Sequence, residues 1–112
     1  MRNVVVYAKY PNYGPTGNSG PGRIWVAAPN GEHRRFLTVG CLPSLSPDGR
    51  YVAYTSGRKV LVVPTAGGRP RVLGRGDWGL TWAPNSRYLA FVRLLRLGSG
   101  EVVIDDAESG SG

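Results

Sequence analysis

A chain of 112 residues with 17 Gly, 9 Pro and a single Cys is long enough for one modest core, but it excludes an intramolecular disulfide and interrupts its apolar runs too often for long helices. Fourteen Lys and Arg against seven Asp and Glu give a formal charge of +7, yet the bases stand singly or in pairs, without the dense basic blocks of nucleic-acid-binding tails. The apolar run Val4 to Ala8 is too short for a signal-peptide core or a bilayer span, so neither a visible export signal nor membrane insertion is expected.

In chain order, Asn3 to Lys9 is rich in β-branched residues and reads as a strand. Residues 10–22, crowded with Gly, Pro and Asn, read as a long loop. Arg23 to Ala28 is the next strand, closed by the Pro29-Asn30-Gly31 turn, and Arg35 to Val39 the next, ended by Gly40. A short strand at Leu42 to Ser46, the Pro47-Asp48-Gly49 turn and the strand Tyr51 to Ser56 follow. Gly57-Arg58 makes a tight hairpin into Lys59 to Pro64, and Ala66-Gly67-Gly68 turns the chain again. The remainder repeats this order: Arg71 to Leu73, Leu80 to Ala83, the Pro84-Asn85-Ser86 turn, Tyr88 to Arg93 extending to Leu97, a Gly98-Ser99-Gly100 hairpin, and Glu101 to Asp105. Runs of four to six β-branched or aromatic residues between turns, with no apolar stripe at helical spacing, define an all-β antiparallel protein. The central strands are apolar on nearly every residue (Val52-Ala53-Tyr54, Leu89-Ala90-Phe91), so both faces of their sheets are expected to be covered. Cys41 reads as a small buried apolar residue.

The order repeats because the sequence does. Leu45 to Ser56, LSPDGRYVAYTS, returns 37 residues later as Trp82 to Arg93, WAPNSRYLAFVR. Ile24-Trp25-Val26 matches Val60-Leu61-Val62 at a spacing of 36, Val62 matches Ile104 at 42, and Tyr7 matches Tyr54 at 47. A period of roughly 40 residues holding four strands is the signature of a β-propeller blade. Residues 3–28 then make a half blade, 35–64 a blade, 71–105 another, and 106–112 a flexible tail. Propellers close with about 4 to 8 blades. Two and a half therefore imply a partial or open propeller, either a fragment of a larger one or a piece that assembles with copies of itself through its open blade edges.

The repeat resembles the WD40-like repeats of TolB-type β-propellers. Their pattern of a bulky residue, Ser-Pro-Asp-Gly, a basic residue and a strand ending small-aromatic is matched by Leu45-Ser46-Pro47-Asp48-Gly49-Arg50 with Ala53-Tyr54. The second copy keeps Pro84 but has Asn85-Ser86 in place of Asp-Gly. The resemblance implies blades of the kind found in periplasmic scaffold proteins and in the gating domains of prolyl-oligopeptidase-like serine peptidases.

Several motifs invite a chemical reading and lose it in context. Gly74 to Gly79, GRGDWG, spells a dinucleotide fingerprint, but a strand ended by Pro84 follows where a helix N-terminus is needed, so it reads as a glycine-rich inter-strand loop. Ser56 to Lys59 spells SxxK inside a hairpin, away from the helix start that motif requires. There is no GxSxG, His33 has no orienting partner in the pattern, and one His with one Cys makes no zinc site. Asp105, Asp106 and Glu108 read as a solvated strand end. Pro47, Asp48, Gly49, Pro84 and Asn85 read as turn chemistry. Catalytic residues, cofactors and metals are not expected. Two loop surfaces remain as candidates for a protein or peptide partner: Arg75, Asp77 and Trp78 in one, Tyr10 and Tyr13 with Asn12 and Asn18 in the other. Two functions stay open: a non-catalytic propeller module mediating protein or peptide interactions, or part of the gating propeller of a serine peptidase whose catalytic domain lies elsewhere.

Overall fold

A computed structural model describes residues 4–10, 13–14, 17–18, 22–95 and 98–108; at 13–14 and 17–18 it describes the backbone alone. The strands are β1 (Val5–Lys9), β2 (Tyr13–Gly14), β3 (Gly17–Asn18), β4 (Gly22–Ala27), β5 (Arg35–Leu45), β6 (Tyr51–Ser56), β7 (Lys59–Pro64), β8 (Arg71–Arg75), β9 (Trp78–Trp82), β10 (Tyr88–Leu94) and β11 (Gly100–Asp106). Every pairing is antiparallel, and no α-helix occurs among the described residues. One sheet runs β1-β4-β5-β6-β7-β8, a second runs β11-β10-β9, and β2-β3 form a small ladder of their own.

The strand expected at Arg35 to Val39 and the one expected at Leu42 to Ser46 are a single strand, β5, whose halves have different partners. Arg35 to Gly40 pairs with β4, while Cys41 to Leu45 pairs with β6 after a register shift between Cys41 and Ser44. Leu42 sits at the break in the left-handed region, with φ of 54°, and there the chain passes from one layer to the next within a single strand. In the same way β8 pairs with β7 and closes that layer. By hydrogen bonding the layers are therefore β1, β4 and the first half of β5; the second half of β5 with β6, β7 and β8; and β9, β10 and β11. Arg35 to Val39 and Arg71 to Leu73 end the layer before them, whereas the sequence grouping made each the first strand of the layer after it. Repeat spacing fixes the period and leaves its phase free, because any cyclic shift of four strands matches equally well. The 10–22 segment also differs from a plain loop, since Tyr13 pairs with Asn18 and Gly14 with Gly17, and Gly22 already belongs to β4. Cys41 is half-buried rather than buried.

The layers stack face to face. Ile24 of the first layer packs with Val52, Tyr54 and Val63 of the second, flanked by Val6, Ala8, Leu37, Leu45 and Leu61. The other face of the second layer, Ala53, Val60, Val62 and Leu73, packs with Leu89, Phe91 and Ala107 of the third. The middle layer is thus apolar on consecutive residues because both its faces are buried. Two glycines let the layers close. A Cβ on Gly40 would overlap the Tyr54 ring, and one on Gly76 would lie 2.5 Å from the Phe91 ring and 2.6 Å from Val60. Gly40 and Gly76 are 36 residues apart and their aromatic partners 37, so this is one packing device used twice.

The outer layers each present one bare face. Val60 and Val62 are 0% and 3% exposed, but their repeat equivalents Val102 and Ile104, 42 residues on, are each 70% exposed. At the opposite end of the stack Phe36 meets Trp25 edge-on, with centroids 5.8 Å apart, and is itself exposed with Val5 and Val39.

Two outcomes are expected. Gly76→Ala should lower the unfolding free energy by about 1–3 kcal/mol in a urea titration, against about 1 kcal/mol for Gly57→Ala, where φ is +63° but the space is open. Light scattering of the dilute chain should show association, reduced by Val102→Lys with Ile104→Lys; a stable wild-type monomer would show that the bare faces do not need covering.

Candidate functional site

The register Tyr51↔Pro64 and Ser56↔Lys59 separates the two ends of the layers. At one end lie the Ser46 to Arg50 turn, the end of β7 and the start of β5. At the other lie the Gly57-Arg58 hairpin, the Gly76-Asp77 crossing and the end of β10.

At the first end the two predicted turns have the same skeleton. Gly49 N–H donates to the Ser46 carbonyl and Ser86 N–H to the Ala83 carbonyl, each over 2.9 Å. Asp48 Oδ1 accepts from Arg50 N–H at 3.0 Å, and Asn85 Oδ1 accepts from Arg87 N–H at 2.9 Å. Pro47 and Pro84 stand exposed at the turn corners, where a fixed φ is useful. Gly49 has φ of 80°, and its equivalent Ser86 has φ of 61°. The left-handed Ser86 is held by its own hydroxyl, which accepts from Asp48 N–H at 2.9 Å across the layer interface.

Asp48 does more than turn the chain. Its Oδ1 accepts from Ser46 Oγ at 2.8 Å and its Oδ2 from Arg50 Nε at 2.7 Å. In the third layer Asn85 has no charge to offer, and Arg87 instead donates Nε to Asp106 Oδ2 at 3.0 Å. Asp106 is the equivalent of Pro64, so Arg50 takes its close carboxylate from its own turn and Arg87 takes one from β11. The Arg50 backbone N–H, followed by its guanidinium, lowers the Asp48 carboxyl to about 2. Both arginines also lie over the tyrosine that follows them, Arg50 at 5.2 Å and Arg87 at 5.7 Å from the ring centres.

At the second end the candidate surface of Arg75, Asp77 and Trp78 is divided between a latch and a strand. Asp77 accepts from Arg58 Nε at 2.9 Å and Nη2 at 3.2 Å, and from Leu94 N–H at 2.7 Å, with its side chain only 11% exposed. The Arg58 guanidinium, then the Leu94 N–H, holds its carboxyl below the usual range. Arg75 Nη1 donates to the Leu94 carbonyl at 3.3 Å. Asp77 and Arg75 thus tie the second layer's hairpin to the third layer's central strand. The expected glycine-rich loop shrinks to Gly76-Asp77, because Arg75 ends β8 and Trp78 begins β9. Trp78 is 48% exposed and Arg75 is exposed as well, so Asp77 is the enclosed member of this group.

Tyr10 lies beside Gly22, where a Cβ would come within 2.7 Å of its ring, and its hydroxyl accepts from Leu42 N–H at 3.3 Å. The side chains of Tyr13 and Asn18, and Asn12 altogether, lie outside the described residues. Sequence reasoning passed over Arg35 and Arg71. Each starts the last strand of one layer and reaches the turn of the next, Arg35 donating to the Thr65 carbonyl and Arg71 to the Glu108 carbonyl. Their spacing of 36 was the available signal.

No family model matches the chain, and no similar curated protein was found. Solved structures do match. The β-propeller domain of the Trilobed protease from Pyrococcus furiosus, a propeller with an open velcro topology, superposes with a TM-score of 0.73 at 21% identity over 97% of this chain and 38% of that one. Pyrococcus horikoshii acylaminoacyl peptidase superposes with a TM-score of 0.76 at 16% identity over 96% of this chain and 22% of that one. The fold is therefore a β-propeller segment, all-β, with antiparallel blades. The chain spans less than two fifths of the length of either structure.

The Asp48 contacts set a pH dependence. Because the folded carboxyl titrates below its ordinary value of 3.8, its stabilising contribution is present above about pH 4 and is lost as pH falls toward 2. The pair with Arg50 is partly exposed, so it is worth at most about 1 kcal/mol. Thermal midpoints of wild type and Asp48→Asn should differ at pH 6 and converge near pH 2; a gap that persists at the acid end would place its origin in the turn geometry alone.

Proposed function

We propose that this chain is part of the propeller of a prolyl-oligopeptidase-like serine peptidase, forming the non-catalytic portion that receives peptides and controls their access to a catalytic domain. The observation that carries this reading is the fold likeness over nearly the whole chain to the propeller of one peptidase and to a second peptidase, with TM-scores of 0.73 and 0.76. It favours the second of the two functions left open by the sequence, and the interaction-module reading survives within it as the binding of peptides. The polar groups of the chain fit a supporting role. Asp48 and Asp77 are engaged by the turn and the inter-blade latch. Within the propeller class, the Leu45 to Arg50 pattern supports a TolB-like type of repeat.

The test is the open reading frame that contains these residues. Expressed whole and treated with a fluorophosphonate probe, its product should be labelled at the serine of a GxSxG segment outside residues 1–112. A frame encoding no such segment, or a whole protein that takes no label, would overturn the peptidase assignment.

A further inference from the structure

The repeat makes it possible to compare two clefts that are the same place in successive blade interfaces. The first lies between the first and second blades at the turn end, and is an open cavity of about 400 Å³ lined by Val4, Tyr51 and Pro64 together with two arginines, Arg35 and Arg50. Thr65 lines it as well. The second is the equivalent position between the second and third blades, where Arg71 replaces Arg35 and Arg87 replaces Arg50.

The cations are common to both clefts, and what differs is what stands around them. Where the first has Gly49, the second has Ser86, whose hydroxyl bonds Asp48 N–H across the interface. Pro64 corresponds to Asp106, which pairs with Arg87 at 2.9 Å, and Ala66 corresponds to Glu108, whose carboxylate comes within 3.8 Å of Arg50. Around the second cleft the protein thus supplies a carboxylate on Arg87, a second that reaches back to Arg50, and a hydroxyl, while Arg71, like Arg35, donates to a backbone carbonyl, that of Glu108. The first has lost all three to small or apolar residues, and an open volume stands in their place. Asp48 neutralises Arg50. Arg35 has no carboxylate partner among the described residues, and its one hydrogen bond there is to the Thr65 carbonyl. A guanidinium carries five N–H donors, so most of its capacity is unused. Thr65 is only 3% exposed, and its hydroxyl also lacks a partner among the described residues.

We propose that this cleft binds a carboxylate with a small apolar body, in the form of the free C-terminal end of a peptide, the carboxylate pairing with the unused donors of Arg35 beside the buried Thr65 hydroxyl. Arginine matches a carboxylate through paired N–H groups, and the walls formed by Val4, Pro64 and Tyr51 suit an aliphatic terminal side chain. The choice of a peptide as the source of the carboxylate rests on the peptidase reading; the preference for the acid form does not.

The experiment titrates the whole chain with acetyl-alanyl-alanine and, separately, with its C-terminal amide, following backbone amide shifts by NMR. The acid should bind saturably below about 10 mM and at least tenfold more tightly than the amide. Arg35→Gln should weaken the acid at least tenfold and leave the amide unchanged. Ala66→Glu, at an exposed position and copying the residue of the second cleft, should block the acid while keeping the wild-type thermal midpoint. Equal binding of acid and amide, no saturable binding of the acid, or unaltered binding by Ala66→Glu would each overturn the proposal. A reading frame without a hydrolase domain would remove the peptidase assignment alone and leave the acid-against-amide contrast to stand or fall by these titrations.

Discussion

The constraint on which the rest depends is that a short β-sheet apolar on both faces cannot stop at one layer. Strand pairing satisfies the backbone within each layer, yet Val52 and Tyr54 point one way while Ala53 and Val60 point the other, so each layer needs a neighbour on each side. The middle blade has two neighbours, and its strand β6 is buried from Val52 to Thr55. The bare Val102 and Ile104 at one end, and Phe36 with Val39 at the other, are the same demand left open. Stacking also determines where side chains are forbidden. Gly40 and Gly76 admit the rings of Tyr54 and Phe91, and this close approach makes the next blade follow at a set distance.

With apolar packing doing the same thing at each interface, the polar residues at the blade ends are freer to differ. Arg50 and Arg87 occupy one place in the repeat but draw their carboxylates from Asp48 and Asp106, which are not equivalent positions. The cost of leaving an arginine partly exposed is small, so either solution serves. The same latitude allows Asp106 and Glu108 to stand in one cleft where its neighbour has Pro64 and Ala66. At the opposite end Asp77 is nearly enclosed, and its bonds to Arg58 and Leu94 hold two blades together.

Much of the fold was legible because turns and strands are local. Pro47-Asp48-Gly49 and Pro84-Asn85-Ser86 turn where their composition says, and Gly57-Arg58 closes a two-residue hairpin, since positive φ and side-chain-to-backbone bonds are set by residues two or three apart. The join within β5 was not legible, because whether Arg35 to Gly40 pairs with β4 or opens the next sheet depends on a partner strand and not on its own pattern. Asp77 and Trp78 were read together as one loop surface, yet burial and bonding separate them: one is a latch, the other an exposed strand residue. Arg35 drew no notice in the sequence because its meaning lies in the absence of an acid near it in space.

By itself the sequence determined the class of structure, the strand content, the turns and the blade period, since alternation, turn chemistry and a repeat are properties of neighbours along the chain. Only the tertiary structure decided which strands share a blade, which carboxylates serve the interfaces, and where a cation is left beside an open cleft. Those outcomes depend on residues 30 to 40 positions apart being brought within a few ångströms, and pairing at that distance is a matter of packing rather than of composition.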